Sequence, residues 1–155
     1  MSSDDSSIDL GVLLAMAYGT FKNRLHAHLA SHGYDDLGPS FGYVFRALDE
    51  SALSLVELAD RLEITPQGAH KLVAEMIERG YVQRVDDEHD ARVRRLHLST
   101  RGKAALRAAR RFHTGTEHEL VKALGHGKVA AARAVLDEMA GAGAADGTAT
   151  RLRPF

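Results

Sequence analysis

The 155-residue chain contains no cysteine. That removes disulfides, thiolate catalysis, thiol-based redox sensing and cysteine-ligated zinc or iron–sulfur centres. Long hydrophobic runs are missing too. The longest, VLLAMAY at 12–18, falls far short of the roughly 20 apolar residues that cross a bilayer. The first residues, MSSDDSSID, are acidic and polar, unlike a signal peptide or an arginine-rich transit peptide. We therefore expect a cytoplasmic chain with no membrane partner. Catalytic signatures are also absent. HGKV at 126–129 lacks the upstream glycine and the Ser/Thr of a phosphate-binding loop, no Gly-x-Ser-x-Gly occurs, and no carboxylate pair stands out from ordinary helix surface. We expect neither an enzyme nor a cofactor.

Hydrophobic residues make up 45% and charged residues 26% of the chain, the balance of one soluble globular domain. The net charge of −1 conceals a gradient. Residues 1–64 carry 4 basic and 10 acidic side chains, residues 65–111 carry 11 and 6, and residues 112–155 carry 5 and 5. A basic middle in an otherwise acidic chain points to a local anionic partner or, more blandly, to a solvated face.

Periodicity organises the rest. Leu10, Leu14, Ala17, Tyr18, Phe21, Leu25 and Leu29 recur at three- and four-residue steps, predicting a long amphipathic helix over 8–31. Gly33, Gly38 and Pro39 break it, and Pro39 with Ser40 opens a second helix over 39–49. Ser54 and Glu57 form a capping box for a short helix that buries Leu55, Leu58, Ala59 and Leu62. After Glu63 and Ile64, Thr65 caps the next helix with Pro66 at its first position, and Gly80 stops it. The period then changes. YVQRV at 81–85 and RRLHL at 94–98 alternate like two strands of a hairpin. Ser99 starts a further helix and a last one spans about 127–140. Two helices joined by a tight turn and followed by a hairpin make a winged helix-turn-helix. The glycine-rich end, GAGAADGTATRLRPF, reads as a disordered tail.

This order of elements, and above all GYVQRVDDEHDARVRRLHLSTRG, resembles the MarR family of bacterial transcription regulators. The matching positions are Gly80, Arg84, Asp90, Arg92, Leu98, Ser99 and Gly102, and LSLVELADRLEITPQGAHKLVAEMIERG is similar to the family's helix-turn-helix. The resemblance implies a mainly α fold with a small β-hairpin wing. The DNA-binding lobe would be 39–98, and a helical dimerisation region would be built from 8–31 and 99–140. The ends, 1–7 and 141–155, are expected to be disordered. It further implies a homodimer on a pseudo-palindromic double-stranded operator, a repressor more than an activator, tuned by a small aromatic or carboxylate effector.

In such a lobe the second helix enters the major groove. Its apolar stripe is committed to the core, which leaves Thr65, Gln67, Gly68, His70 and Lys71 facing outward. Gln67 suits bidentate pairing with adenine, Lys71 reaches guanine or phosphate, and Gly68 permits close backbone approach. Arg84, Arg94 and Arg95 would add phosphate contacts. By resemblance Arg92 is the minor-groove arginine, braced by Asp90; whether Arg92 or Arg94 reaches deepest stays open. Effector candidates, from position and chemistry, are Tyr18, His26, Tyr43, Arg46 and His113. Two alternatives remain. One is a winged helix used only for protein–protein contact. The other is a metal-responsive regulator using His28 with His32, or His113 with Glu117 and His118, although HELVK has Lys122 where a zinc signature has its second histidine.

Overall fold

In a computed structural model of the chain, residues 8–90 and 92–141 are described. Six helices and one hairpin follow one another: α1 Leu10–Ser31, α2 Phe41–Glu50, α3 Leu55–Leu62, α4 Pro66–Glu78, β1 Val82–Asp86, β2 Arg94–Leu98, α5 Thr100–Leu124 and α6 His126–Met139. They fall into two compact units, one ending at Asp35 and one beginning at Asp36. The expectation for the ends, 1–7 and 141–155, lies outside the described residues except for Gly141.

The helix boundaries follow from local hydrogen bonding. Ser54 Oγ accepts the Glu57 N–H (3.2 Å) while the Glu57 carboxylate accepts the Ser54 N–H (2.7 Å), so both partners of the capping box are in place. At α4, Thr65 Oγ1 accepts the Gly68 N–H at 3.0 Å and Pro66 occupies the first turn. The turn between α3 and α4 puts Glu63 in the left-handed region, φ 53° and ψ 41°. Gly80, φ 76°, reverses the chain after α4, and Tyr81 N–H closes back on Met76 O at 2.8 Å.

The starts of α2 and β1 differ from expectation. Gly38, Pro39 and Ser40 form a turn, with Phe41 N–H bonded to Gly38 O, so α2 begins at Phe41 and not at Pro39. The first strand begins at Val82 because Tyr81 belongs to the core. Its ring is wholly enclosed and packs edge-on against Phe41 (5.9 Å) and Phe45 (5.7 Å). The pairing frame then runs from Val82 opposite Leu98 to Asp86 opposite Arg94. Leu53 adds a bridge to the other edge of β2, with Leu96 N–H on Leu53 O at 2.7 Å.

The core of the second unit lies where α2, α3, α4, the hairpin and the first half of α5 meet. Leu58, Val73, Met76 and Tyr81 are fully enclosed there, and burial of such side chains contributes about 2 kcal/mol each. Gly102, in the first turn of α5, lies hard against the Tyr81 carbonyl, where no side chain fits. Ser99 secures the same junction. Its N–H bonds Tyr81 O (3.0 Å), its Oγ donates to Gly80 O (2.5 Å), and that Oγ accepts the Gly102 N–H (3.0 Å). Farther along, the chain is bare: α6 buries no residue, and Leu120, Leu124, Val135, Leu136 and Met139 are exposed. In the first unit Leu29 is the one buried residue of α1, while Leu10, Val12, Leu13, Met16 and Tyr18 are exposed.

Candidate nucleic-acid interface

Helix α4 sorts its residues by face. Ala69, Val73 and Met76 are buried, and Thr65, Gln67, Gly68, His70 and Lys71 are all exposed. The turn at Glu63 and Ile64 sets this helix against α3, and the caps at Thr65 and Pro66 define where its polar face starts. Adding a Cβ at Gly68 would meet only Thr65 Oγ1, at 3.1 Å, so bare backbone is presented at that point of the helix surface. The helix N-terminus also carries a partial positive charge, which suits it to phosphate.

The hairpin adds cations. Arg84 is exposed, the Arg92 side chain is 95% exposed, and the Arg94 side chain is 67% exposed. Asp90 Oδ1 accepts the Arg92 backbone N–H at 3.0 Å, while the Arg92 side-chain Nε stands 3.9 Å from the same oxygen. Asp90 thus shapes the turn on which Arg92 is carried more than it clamps the guanidinium. Arg94 Nε lies 3.5 Å from Asp86.

Arg95 is placed differently from the other wing arginines. Its Nε donates to Asp87 Oδ2 at 2.7 Å and its Nη1 to Glu57 Oε2, and its side chain is only 30% exposed. Asp87 is likewise drawn in. It also accepts the N–H groups of His89 (2.8 Å) and Asp90 (3.2 Å). The Arg95 bond first, then the His89 N–H, hold the Asp87 carboxyl down at about 2. Glu57 is lowered as well, chiefly by the Ser54 N–H. Position in a solvent-rich sequence gave no sign of this triad, because its members are 30 and 8 residues apart and meet only through the fold.

A second cluster was also not legible. Asp36 accepts from the Tyr81 hydroxyl and from Arg101 Nη2 (3.1 Å), Arg101 lies over the Tyr81 ring at 4.6 Å, and Arg79 donates to Asp36 O. Burial, then the bond to Asp36, pushes the Tyr81 phenol up to about 12, which keeps it a neutral donor. Arg101 is in part committed here.

Among the effector candidates, Tyr43 and His113 are half-buried and Arg46 is exposed. Burial, then the positive charge of Arg46, holds the His113 imidazole below its ordinary value, so α2 and α5 bring these two together. Tyr18 and His26 are exposed on α1, in the first unit. The histidine clusters are otherwise engaged. His32 Nδ1 lies 2.7 Å from His28 O, and Glu117 pairs with Arg133 at 2.8 Å. Among the described residues no three His, Asp or Glu side chains are grouped to hold a metal ion.

An α3–turn–α4 pair with a bare polar helix face, followed by a hairpin that bears exposed arginines, defines a winged helix-turn-helix protein. Known proteins agree with this class. Residues 36–93 match the MarR family. A transcriptional activator of exopolysaccharide II synthesis, ExpG of Rhizobium meliloti (strain 1021), is 29% identical over 127 residues, 80% of this chain and 63% of ExpG. The chain thus spans under two thirds of that relative. The YusO protein of Bacillus subtilis superposes with a TM-score of 0.68 at 18% identity, covering 94% of this chain and 100% of YusO. FabT of Streptococcus pneumoniae, solved in complex with DNA, gives 0.66 at 18% identity over 84% of this chain and 94% of FabT.

Proposed function

We propose that the protein is a homodimeric, sequence-specific DNA-binding transcription regulator. The observation that carries this reading is the exposed row Thr65, Gln67, Gly68, His70 and Lys71 on α4, beside a wing whose Arg84, Arg92 and Arg94 project into solvent. The row supplies base-edge donors and acceptors, and the arginines supply phosphate and minor-groove charge. FabT, a protein of like fold, was solved in complex with DNA, which supports DNA as a partner here. The bare apolar faces of α1, α5 and α6 support self-association, since exposed apolar surface on this scale favours a partner. Dimerisation would place two recognition helices on the half-sites of a pseudo-palindrome.

An acidic aromatic effector has suitable chemistry in Arg46 and His113, with Tyr43 three residues before Arg46 in sequence. Repression follows if the operator overlaps the promoter; activation, the role named for ExpG, follows if it lies upstream. No described helix is long and apolar enough to cross a membrane, in keeping with a regulator that meets DNA in the cytoplasm.

The test is a mobility-shift titration against the DNA upstream of its own gene at physiological salt. Specific binding is expected, and Arg92→Ala should weaken it most where the flanks are rich in A·T. Only non-specific affinity would refute the reading and favour a protein–protein module.

A further inference from the structure

We propose that Arg95 is a positioning residue: it fixes the wing to the helix-turn-helix by joining the α3 capping carboxylate, Glu57, to the wing-turn carboxylate, Asp87, and does not itself touch DNA. The proposal rests on the DNA-binding reading above and assigns Arg95 a role apart from Arg84, Arg92 and Arg94.

Three observations carry it. The first is charge. One guanidinium between two carboxylates leaves the trio with a net negative charge, which repels phosphate, and two of its five N–H donors, at Nε and Nη1, are already engaged. The second is connectivity. Glu57 Oε2 accepts both the Ser54 N–H (2.7 Å) that closes the cap of α3 and the Arg95 Nη1–H. Asp87 in turn accepts the His89 and Asp90 N–H groups, and Asp90 accepts the Arg92 N–H. A continuous hydrogen-bonded line therefore runs from the N-terminus of α3 to the residue carried at the wing tip. The third is exposure. Arg95 is 30% exposed against 95% for Arg92, although both lie in one short hairpin. A two-stranded ribbon standing alone is only marginally ordered in water. The strut and the Leu53–Leu96 bridge both tie β2 back to the lobe.

The chemistry also separates Arg95 from a lysine. An ammonium is a point charge on a flexible stem and does not span two carboxylates in the fork geometry that a guanidinium offers. A phosphate contact, by contrast, tolerates the exchange well.

The experiment uses the full-length protein and a duplex that the wild type recovers from a randomised pool. Affinity is measured across a salt series for Arg95→Lys, Arg95→Met, Glu57→Gln and Arg92→Ala. Glutamine keeps the capping bond to Ser54, so Glu57→Gln removes the ion pair and leaves α3 capped. Arg92→Ala is expected to flatten the salt dependence by about 0.9 in slope, as one lost phosphate neutralisation does. Arg95→Lys, Arg95→Met and Glu57→Gln are each expected to weaken binding about tenfold with the slope unchanged, and the Arg95→Met/Glu57→Gln pair no further than either alone. Glu57→Gln is the sharpest arm, since removing a negative charge near DNA would otherwise tighten binding. Wild-type affinity in Arg95→Lys, or a slope loss of about 0.9 in Arg95→Met, makes Arg95 a phosphate contact and overturns the proposal. Amide hydrogen exchange over 86–94 in the free protein is read alongside. It should quicken in all three strut variants and stay unchanged in Arg92→Ala. If the wild type recovers no duplex, the DNA-binding reading fails by itself, and unchanged exchange in the strut variants would still overturn the strut.

Discussion

Replacing Gly102 by alanine tests the junction between the wing and α5. A Cβ at this position would stand 2.1 Å from the Tyr81 carbonyl oxygen, 3.1 Å from its carbon and 3.5 Å from Leu98 Cβ. The obstacle is backbone, which does not swing aside as the end of a flexible side chain would. Restoring ordinary contact needs a shift of about 1 Å between the first turn of α5 and the chain at Tyr81 in a close-packed interior. That shift strains the Ser99 N–H bond to Tyr81 O and unseats a fully enclosed tyrosine. Overpacking of this kind costs about 1–3 kcal/mol, and a weakened hydrogen bond about 1 more. Against this, alanine in a helix gains about 1 kcal/mol over glycine. The expected net loss is about 1–3 kcal/mol. Gly115 provides the internal control. It lies in the same helix with nothing within 4 Å of an added Cβ, so Gly115→Ala should stabilise by about 1 kcal/mol. Both are read from denaturant midpoints at one fixed protein concentration, because association shifts apparent stability. A Gly102→Ala protein as stable as the wild type would refute the close-approach argument.

Two further outcomes follow from features of the same lobe. Asp87 has its carboxyl held at about 2 against an ordinary 3.8, so its contribution is complete above 3.8 and is lost as pH falls towards 2. Protection of the amides over 86–94, taken relative to their intrinsic exchange rates, should therefore fall across that interval in the wild type, and Asp87→Asn should abolish that fall. Glu63 holds φ 53° without being glycine, a conformation that costs a side-chain-bearing residue about 1 kcal/mol. Glu63→Gly should raise the unfolding midpoint by the equivalent of about 0.5–1 kcal/mol, and a fall would show that contacts of the glutamate outweigh its backbone strain.

The local signals in the sequence translated directly into structure. Ser54 with Glu57, Thr65 with Pro66, Gly80 and Ser99 each mark a boundary through a bond to a residue two to four positions away or through a backbone angle, and such information is carried in short stretches. RRLHL at 94–98 came out as β2 for the same reason. Tyr81 misled the strand frame because an aromatic residue in an alternating run has the same local appearance whether it packs under a sheet or into a helical core. The exposed row on α4 was readable by subtraction, once the buried stripe was assigned. Arg95 was not. Three arginines within four residues look equivalent in sequence, and only the approach of Glu57, 38 positions earlier, sets one of them apart. Asp36, Tyr81 and Arg101 were hidden by the same separation, up to 65 positions.

The small sheet has one further consequence, for how crowded copies of the protein behave. β2 is flanked on both sides, by β1 and by the Leu53 bridge, so the unpaired backbone of the hairpin is concentrated on the outer side of β1. An open strand edge is a template for joining the same edge of a neighbouring molecule. Here the edge is only five residues long and carries Arg84 and Asp86 on it. Short length and alternating charge make edge-to-edge stacking unfavourable. The alternating charge on this edge thus protects the wing from adhering to other wings when copies of the protein crowd together.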